Sequence, residues 1–224
     1  MLREPKIVSR EIRIAPLDLP GDLAAPAEPK GLVVFAHGGG SSRLSPRNRA
    51  VADGLNRAGF ATLLFDLLKA EEERDRSNVF NIDLLAERLN WAIEWIGRDP
   101  ELAKLPLGLF GASTGAAAAL KAAARLGDRI AAVVSRGGRP DLAGEAAPLV
   151  RAPTLLIVGG DDGIVLDLNE QALAALKCTK ALRVVPGASH LFSEPGALEA
   201  VGRYAAEWFA SYVRRDIDRR AHEA

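Results

Sequence analysis

The chain has 224 residues, 48% of them apolar, enough to bury a large core within one domain. Its 29 lysines and arginines equal its 29 aspartates and glutamates, so no global field draws in nucleic acid or an anionic membrane, and neither is expected as a partner. A single cysteine excludes an internal disulfide, three scattered histidines offer no metal-ligand spacing, and neither a bilayer-spanning stretch nor an apolar leader at Met1 to Lys6 is present. A cytoplasmic protein with no structural metal is expected.

Residues 6–23 alternate loosely and are broken by Pro16, Pro20 and Gly21, which predicts two short strands, antiparallel at a sheet edge. Residues 24–30, with Pro26 and Pro29, read as a surface loop. Leu32 to Ala36 is an unbroken apolar run, the pattern of a strand buried on both faces. Ser45-Pro46 opens a helix to Arg57, Gly59 ends it, and Phe60 to Phe65 is the next strand. Asn81 to Ile96 has apolar residues at helical spacing, Leu105 to Phe110 reads as a strand, and the alanine-rich Ala116 to Leu126 as a helix. Strands at 130–135, 154–158 and 181–185 then alternate with helices at 166–176 and 198–213, and residues 214–224 form a charged tail read as a frayed helix end. Regular strand–helix alternation predicts an α/β fold over 1–224, its core at about 6–213, with a mostly parallel sheet of about seven to eight strands and helices on both faces.

Gly111-Ala112-Ser113-Thr114-Gly115 stands between a predicted strand and a predicted helix. A serine on such a sharp turn projects its hydroxyl clear of the sheet, and the flanking glycines let neighbouring backbone approach. The other reading is an N-cap serine between two packing glycines. A nucleophilic serine needs a base, and a base needs a third group to hold its tautomer. His37 lies upstream in a turn and His222 in the tail. That leaves His190, in a loop after the last predicted strand, and loops after parallel strands gather at the carboxyl edge of the sheet, where the Ser113 turn also belongs. For the orienting acid, Asp161 and Asp162 compete on the loop after the 154–158 strand. The glycines of His37-Gly38-Gly39-Gly40 could cradle a phosphate, but the loop lacks a P-loop ending and the spacing of a dinucleotide fingerprint.

The strand order, the Gly-x-Ser-x-Gly turn and the loops bearing Asp162 and His190 resemble a small α/β-hydrolase of the dienelactone hydrolase-like group, without a large lid, over residues 6–213. The stretch from His37 to Asn48, with Asp66-Leu67-Leu68 and Glu71 to Glu73, is similar to bacterial members sometimes fused to phosphoribosyltransferases. The resemblance implies that the register from Gly159 to Val165 selects Asp162. Chain order is then Ser113, Asp162, His190, the order of that family's triad. It also implies an oxyanion hole from Gly39, with Gly40 next, and the Thr114 N–H. Dienelactone hydrolases proper use a cysteine nucleophile, so with Ser113 their lactone specificity does not carry over; the resemblance implies carboxylic-ester hydrolysis as the reaction class, on an ester or a lactone, needing no cofactor. A non-catalytic ligand-binding or scaffold protein on this fold, and an acyltransferase, are the alternatives. Arg43, Arg47 and Arg49 cluster after the glycine loop, and Arg136 and Arg139 flank Gly137-Gly138. Either these arginines are solvated or salt-bridged, with Asp66 or Glu71 to Glu73 as partners, or Arg43 and Arg136 face the pocket and grip an anionic substrate.

Overall fold

The structure is a computed structural model that describes residues 6–213, so the predicted reading of the tail, and His222 with it, lies outside the described residues. In chain order it comprises β1 (Ile7–Ile14), β2 (Leu19–Pro26), β3 (Leu32–Ala36), α1 (Pro46–Arg57), β4 (Ala61–Phe65), α2 (Ala70–Glu73), α3 (Arg76–Val79) and α4 (Ile82–Arg98). There follow β5 (Leu107–Ala112), α5 (Thr114–Leu126), β6 (Ile130–Arg136), a 3-10 segment (Pro140–Leu149), β7 (Thr154–Gly159), α6 (Gly163–Ala175), β8 (Lys180–Val185) and α7 (Ala197–Tyr212). The eight strands form one sheet in the order β1-β2-β4-β3-β5-β6-β7-β8, in which β2 runs antiparallel to both its neighbours and every pair from β4 to β8 is parallel.

The unbroken apolar strands are buried on both faces because helices cover both. Val33 and Phe35 of β3 join the core beneath α1 and α7, while Leu32, Val34 and Ala36 join the core beneath α4 and α5. The Phe35 and Phe110 rings of neighbouring strands meet at 4.8 Å between centroids. Small side chains let α5 sit close to the sheet: Ala116 to Ala119, Ala122 and Ala123 are all fully buried. The order of strands places the site. β3 has β4 on one side and β5 on the other, so the loops leaving β3 and β5 part at the carboxyl edge and open the crevice where open α/β sheets bind ligands.

Three details differ from the sequence reading. β2 continues through Ala24 to Pro26, read above as loop; Pro26 lies opposite Ile7, beyond the Gly21–Ala24 stretch that pairs with β4, so its missing N–H breaks no bond on that side. β5 begins two residues later than expected and runs through Gly111 and Ala112 into Ser113, with α5 starting at once at Thr114. The glycine that reads as turn is a strand residue, because a Cβ on Gly111 would stand 2.5 Å from the Ala116 Cα. Finally, α2, α3 and the 3-10 segment have no counterpart in the sequence reading, since four-residue helices are too short to show a period and Gly144 and Pro148 break the longer segment. No lid domain stands over the carboxyl edge among the described residues.

Candidate active site

Ser113 is the single residue between β5 and α5, held at φ 52°, ψ −126°. A non-glycine residue there is strained, and the surrounding packing holds it in place. A Cβ on Gly115 would stand 2.2 Å from the Ala36 carbonyl oxygen and 2.6 Å from that of His37, so α5 can press its first turn against the end of β3 only with glycine at that position. The Ser113 carbonyl accepts from the Arg139 N–H at 3.0 Å, tying the turn to the loop after β6. The Ser113 side chain makes no capping hydrogen bond to α5, which removes the N-cap explanation for a serine at this position.

His190 and Asp162 meet although 28 residues apart: Nδ1 of the imidazole lies 2.7 Å from Asp162 Oδ2. The Asp162 side chain is 16% exposed and that of His190 42% exposed, so the carboxylate is sheltered and the ring reaches outward over the crevice. Backbone bonds fix the two loops together. The Gly160 N–H donates to the Val185 carbonyl at 2.8 Å and the Asp161 N–H to the Ala188 carbonyl at 3.0 Å. Asp161 thus acts through its backbone while its side chain faces solvent. Glu194 completes the His190 loop by accepting from the Ser189 N–H at 3.0 Å; hydrogen bonding by the Ser189 side chain first, and then by the Glu194 and Ser189 backbone, holds its carboxyl below the usual range.

Gly38 and Gly39, with Ser113, Arg136, His190 and others, line a small cavity of about 110 Å³ at the crevice. A larger hollow of about 410 Å³ between β1, β2 and α1 contains neither a serine on a strained turn nor a histidine–carboxylate pair, so volume does not choose the site. The Gly39 N–H donates to Thr114 Oγ1 at 3.1 Å, which seats the glycine loop against the residue following Ser113. Gly40 is exposed at φ 68°.

His37, set aside above as a base, supports this loop from beneath. Its Nε2 accepts from the Leu67 N–H at 3.0 Å, so the proton of the neutral ring is on Nδ1 and donates to the Gly38 carbonyl at 3.0 Å. Burial lowers its pKa from the ordinary value of 6.5, against the opposing pull of the Gly38 carbonyl and Asp66. The unfolded chain therefore takes up this proton before the folded one. The stabilisation is complete above the unfolded value of 6.5 and is lost as pH falls from there toward the lowered folded value. In urea titrations at pH 7.5 and 5.5 the wild type should lose more stability than His37→Gln, by at most about 1.4 kcal/mol per pH unit. Equal losses in the two proteins would remove His37 from the account.

The arginines divide. Arg43 does not line the cavity: its Nη1 lies 2.7 Å from Asp66 Oδ2, its N–H donates to Asp66 Oδ1 at 2.7 Å, and its Nε is 3.6 Å from Asp22. The expectation that it faces substrate is corrected, because β3 and β4 are parallel neighbours and their following loops put Arg43 beside Asp66. Arg49 pairs with Asp22 at 2.9 Å and Arg139 with Asp141 at 2.7 Å. Arg136 does line the cavity, and Arg47, at the start of α1, stands there in place of Arg43. Arg136 is 8% exposed and its Nη2 donates to Asn48 Oδ1 at 3.3 Å. Burial, and then the charge of Arg47, push its pKa down to about 10, which leaves it cationic at neutral pH. Sequence reasoning grouped Arg47 with its neighbours but had no means to select it, and Asn48 carried no signal beyond its place in the first turn of α1. Cys178 sits at the opposite edge, its Sγ 3.7 Å from Oγ1 of Thr154, the first residue of β7.

A strained serine at the end of β5 and an imidazole–carboxylate pair on the loops after the last two strands thus stand at one edge of the sheet. The chain belongs to the α/β hydrolase fold family, whose model matches residues 31–152. It is similar to a dienelactone hydrolase from Anabaena variabilis ATCC 29413, with 52% identity, a TM-score of 0.89 and coverage of 95% of this chain and 100% of that one. Two Mycobacterium tuberculosis proteins, from strains CDC 1551 and H37Rv and carrying the provisional name phosphoribosyl transferase, are each 55% identical over 212 residues. That match takes in 94% of this chain and 48% of theirs, so the chain spans about half the length of these curated relatives. Est1E from Butyrivibrio proteoclasticus shares 17% identity with a TM-score of 0.73, covering 90% of this chain and 99% of its own, and shows the fold alone.

Proposed function

We propose that the chain is a serine-dependent carboxylic-ester or lactone hydrolase. Ser113 Oγ attacks the carbonyl carbon as its proton passes to His190 Nε2, and Asp162 stabilises the imidazolium from Nδ1. The carbonyl oxygen, now an anion, is received by the Thr114 N–H at the start of α5 and by a glycine N–H of the facing loop, either that of Gly39, which must first give up its bond to Thr114 Oγ1, or that of Gly40. The C–O bond to the alcohol breaks and the alcohol leaves with the proton from His190; in a lactone it stays tethered to the acyl group. Water then gives a proton to His190 and attacks the acyl-enzyme, the bond to Ser113 Oγ breaks, Oγ takes the proton back from His190, and the acid leaves.

The observation that carries this reading is the 2.7 Å contact between His190 and Asp162 beside a serine strained into the left-handed region on the wall of the same cavity. The likeness to a dienelactone hydrolase across nearly the whole chain supports the reaction class. The transferase name belongs to relatives about twice as long, and we assign the hydrolytic chemistry to the half that they share with this chain. A fluorophosphonate probe should label the wild type once, on the peptide that contains Ser113, and should leave Ser113→Ala unlabelled. Labelling elsewhere, or none, would refute the assignment.

A further inference from the structure

The wall of the cavity beside Ser113 carries two guanidinium groups and no carboxylate. Arg136 is buried, and among the described residues its Nε and Nη1 have no hydrogen-bond partner; its side chain meets the neutral Asn48 amide and stands 6.0 Å from the centre of the Phe192 ring. The Arg47 Nε is likewise buried and unpartnered. Neither arginine forms an ion pair among the described residues, although Arg43 and Arg139 in the flanking loops and Arg49 in α1 all do. A buried cation ordinarily sits against an anion, because without one it loses its hydration and gains nothing in return. Here two like charges share a cavity of about 110 Å³, the room of three to four waters at ~30 Å³ each. Burial together with the repulsion of Arg47 is the reason the Arg136 proton is held less tightly than usual.

We propose that Arg136 and Arg47 form an anion subsite, so that the acyl part of the substrate carries a carboxylate or phosphate group a few bonds from the carbonyl that Ser113 attacks. A guanidinium meets either group with charge-assisted N–H donors, and the Nε and Nη1 of Arg136, which lie on different edges of the fork, are both left to donate. The anion would satisfy at least one of these orphaned donors and relieve the repulsion between the two cations. The small cavity keeps it close, so a short acyl chain is required. The part of this proposal that concerns the reacting carbonyl rests on the Ser113 reading above; the anion subsite itself does not.

The test uses the full chain and two readouts. The first is the ratio of kcat/KM for a mono-aryl glutarate to that for its neutral methyl ester, corrected for spontaneous hydrolysis. It should be about 10 to 100 in the wild type, the size of one or two charge-assisted hydrogen bonds, and should fall to about 1 in Arg136→Met and decline in Arg47→Gln. The second is thermal stability with added glutarate or inorganic phosphate, which should raise the Tm of wild type and of Ser113→Ala alike, but not that of Arg136→Met. Should Arg136→Met fail to fold, Arg47→Gln, on the half-buried partner, carries both readouts. A wild-type ratio at or below 1, with no rise in Tm from either anion, would overturn the subsite. If Ser113→Ala still hydrolyses ester while anions stabilise it in an Arg136-dependent way, the nucleophile reading fails and the subsite stands.

Discussion

Ser113→Ala should abolish hydrolysis of short aryl esters, with a loss of as much as ~10⁶-fold in kcat, while leaving the chain folded. The loss is large because the oxyanion donors and the histidine have nothing to act on without the covalent step. Folding should survive because the Ser113 side chain caps nothing, so its removal orphans no donor of α5. Backbone strain adds a second, independent readout. Alanine keeps the penalty of φ 52°, whereas Ser113→Gly relieves it, so the glycine variant should be equally inactive but more stable than the alanine variant by ~1 kcal/mol. Turnover at the wild-type rate in folded Ser113→Ala would end the mechanism. Equal stability of the two variants would mean that the turn carries no strain.

The second large effect is expected at Asp162. Asn in its place keeps the shape but presents an amide that cannot accept a charge-assisted hydrogen bond from His190 Nδ1, leaving the ring free to adopt the wrong tautomer. A fall in kcat on the order of 10⁴-fold is expected, with KM changed little. Asp161→Asn should stay within a few-fold of wild type, since this residue ties the two loops through its N–H to the Ala188 carbonyl and the substitution leaves that bond intact. The pair of variants separates adjacent carboxylates of the same charge, so a difference between them cannot come from the net charge of the loop. The reverse ranking would show that Asp161 orients the histidine.

The alternation of elements was legible because its signals are local. β3 matches the expectation residue for residue and α1 begins and ends within a residue or so of the expected bounds, since five consecutive apolar residues and a Ser-Pro start with a glycine stop leave little latitude. The start of β5 was misplaced because Leu105 is apolar for another reason: it is buried at the end of a short 3-10 turn, before Pro106 admits the chain to the sheet. The edge strand β2 was cut short because Pro26 normally marks a loop, and its place opposite Ile7 depends on a partner strand that local pattern does not specify.

The sequence by itself determined the class of fold, the turn that carries Ser113, and, through chain order and the family resemblance, the loops that carry Asp162 and His190. These follow from short-range rules: hydrophobic period, glycine and proline chemistry, and the tendency of loops after parallel strands to share an edge. Which arginine faces the cavity was decided only in three dimensions. Arg43 and Arg47 lie four residues apart with the same charge, and nothing local distinguishes them. The parallel pairing of β3 with β4 sets Asp66 against Arg43, whereas the first turn of α1 carries Arg47 toward Arg136, 89 positions along the chain, where no carboxylate meets either. The same is true of His37, whose bond from the Leu67 N–H exists only because the loops after β3 and β4 lie side by side. Charge pairing and burial depend on the positions of all neighbours at once, so they become definite only when the sheet has closed around them.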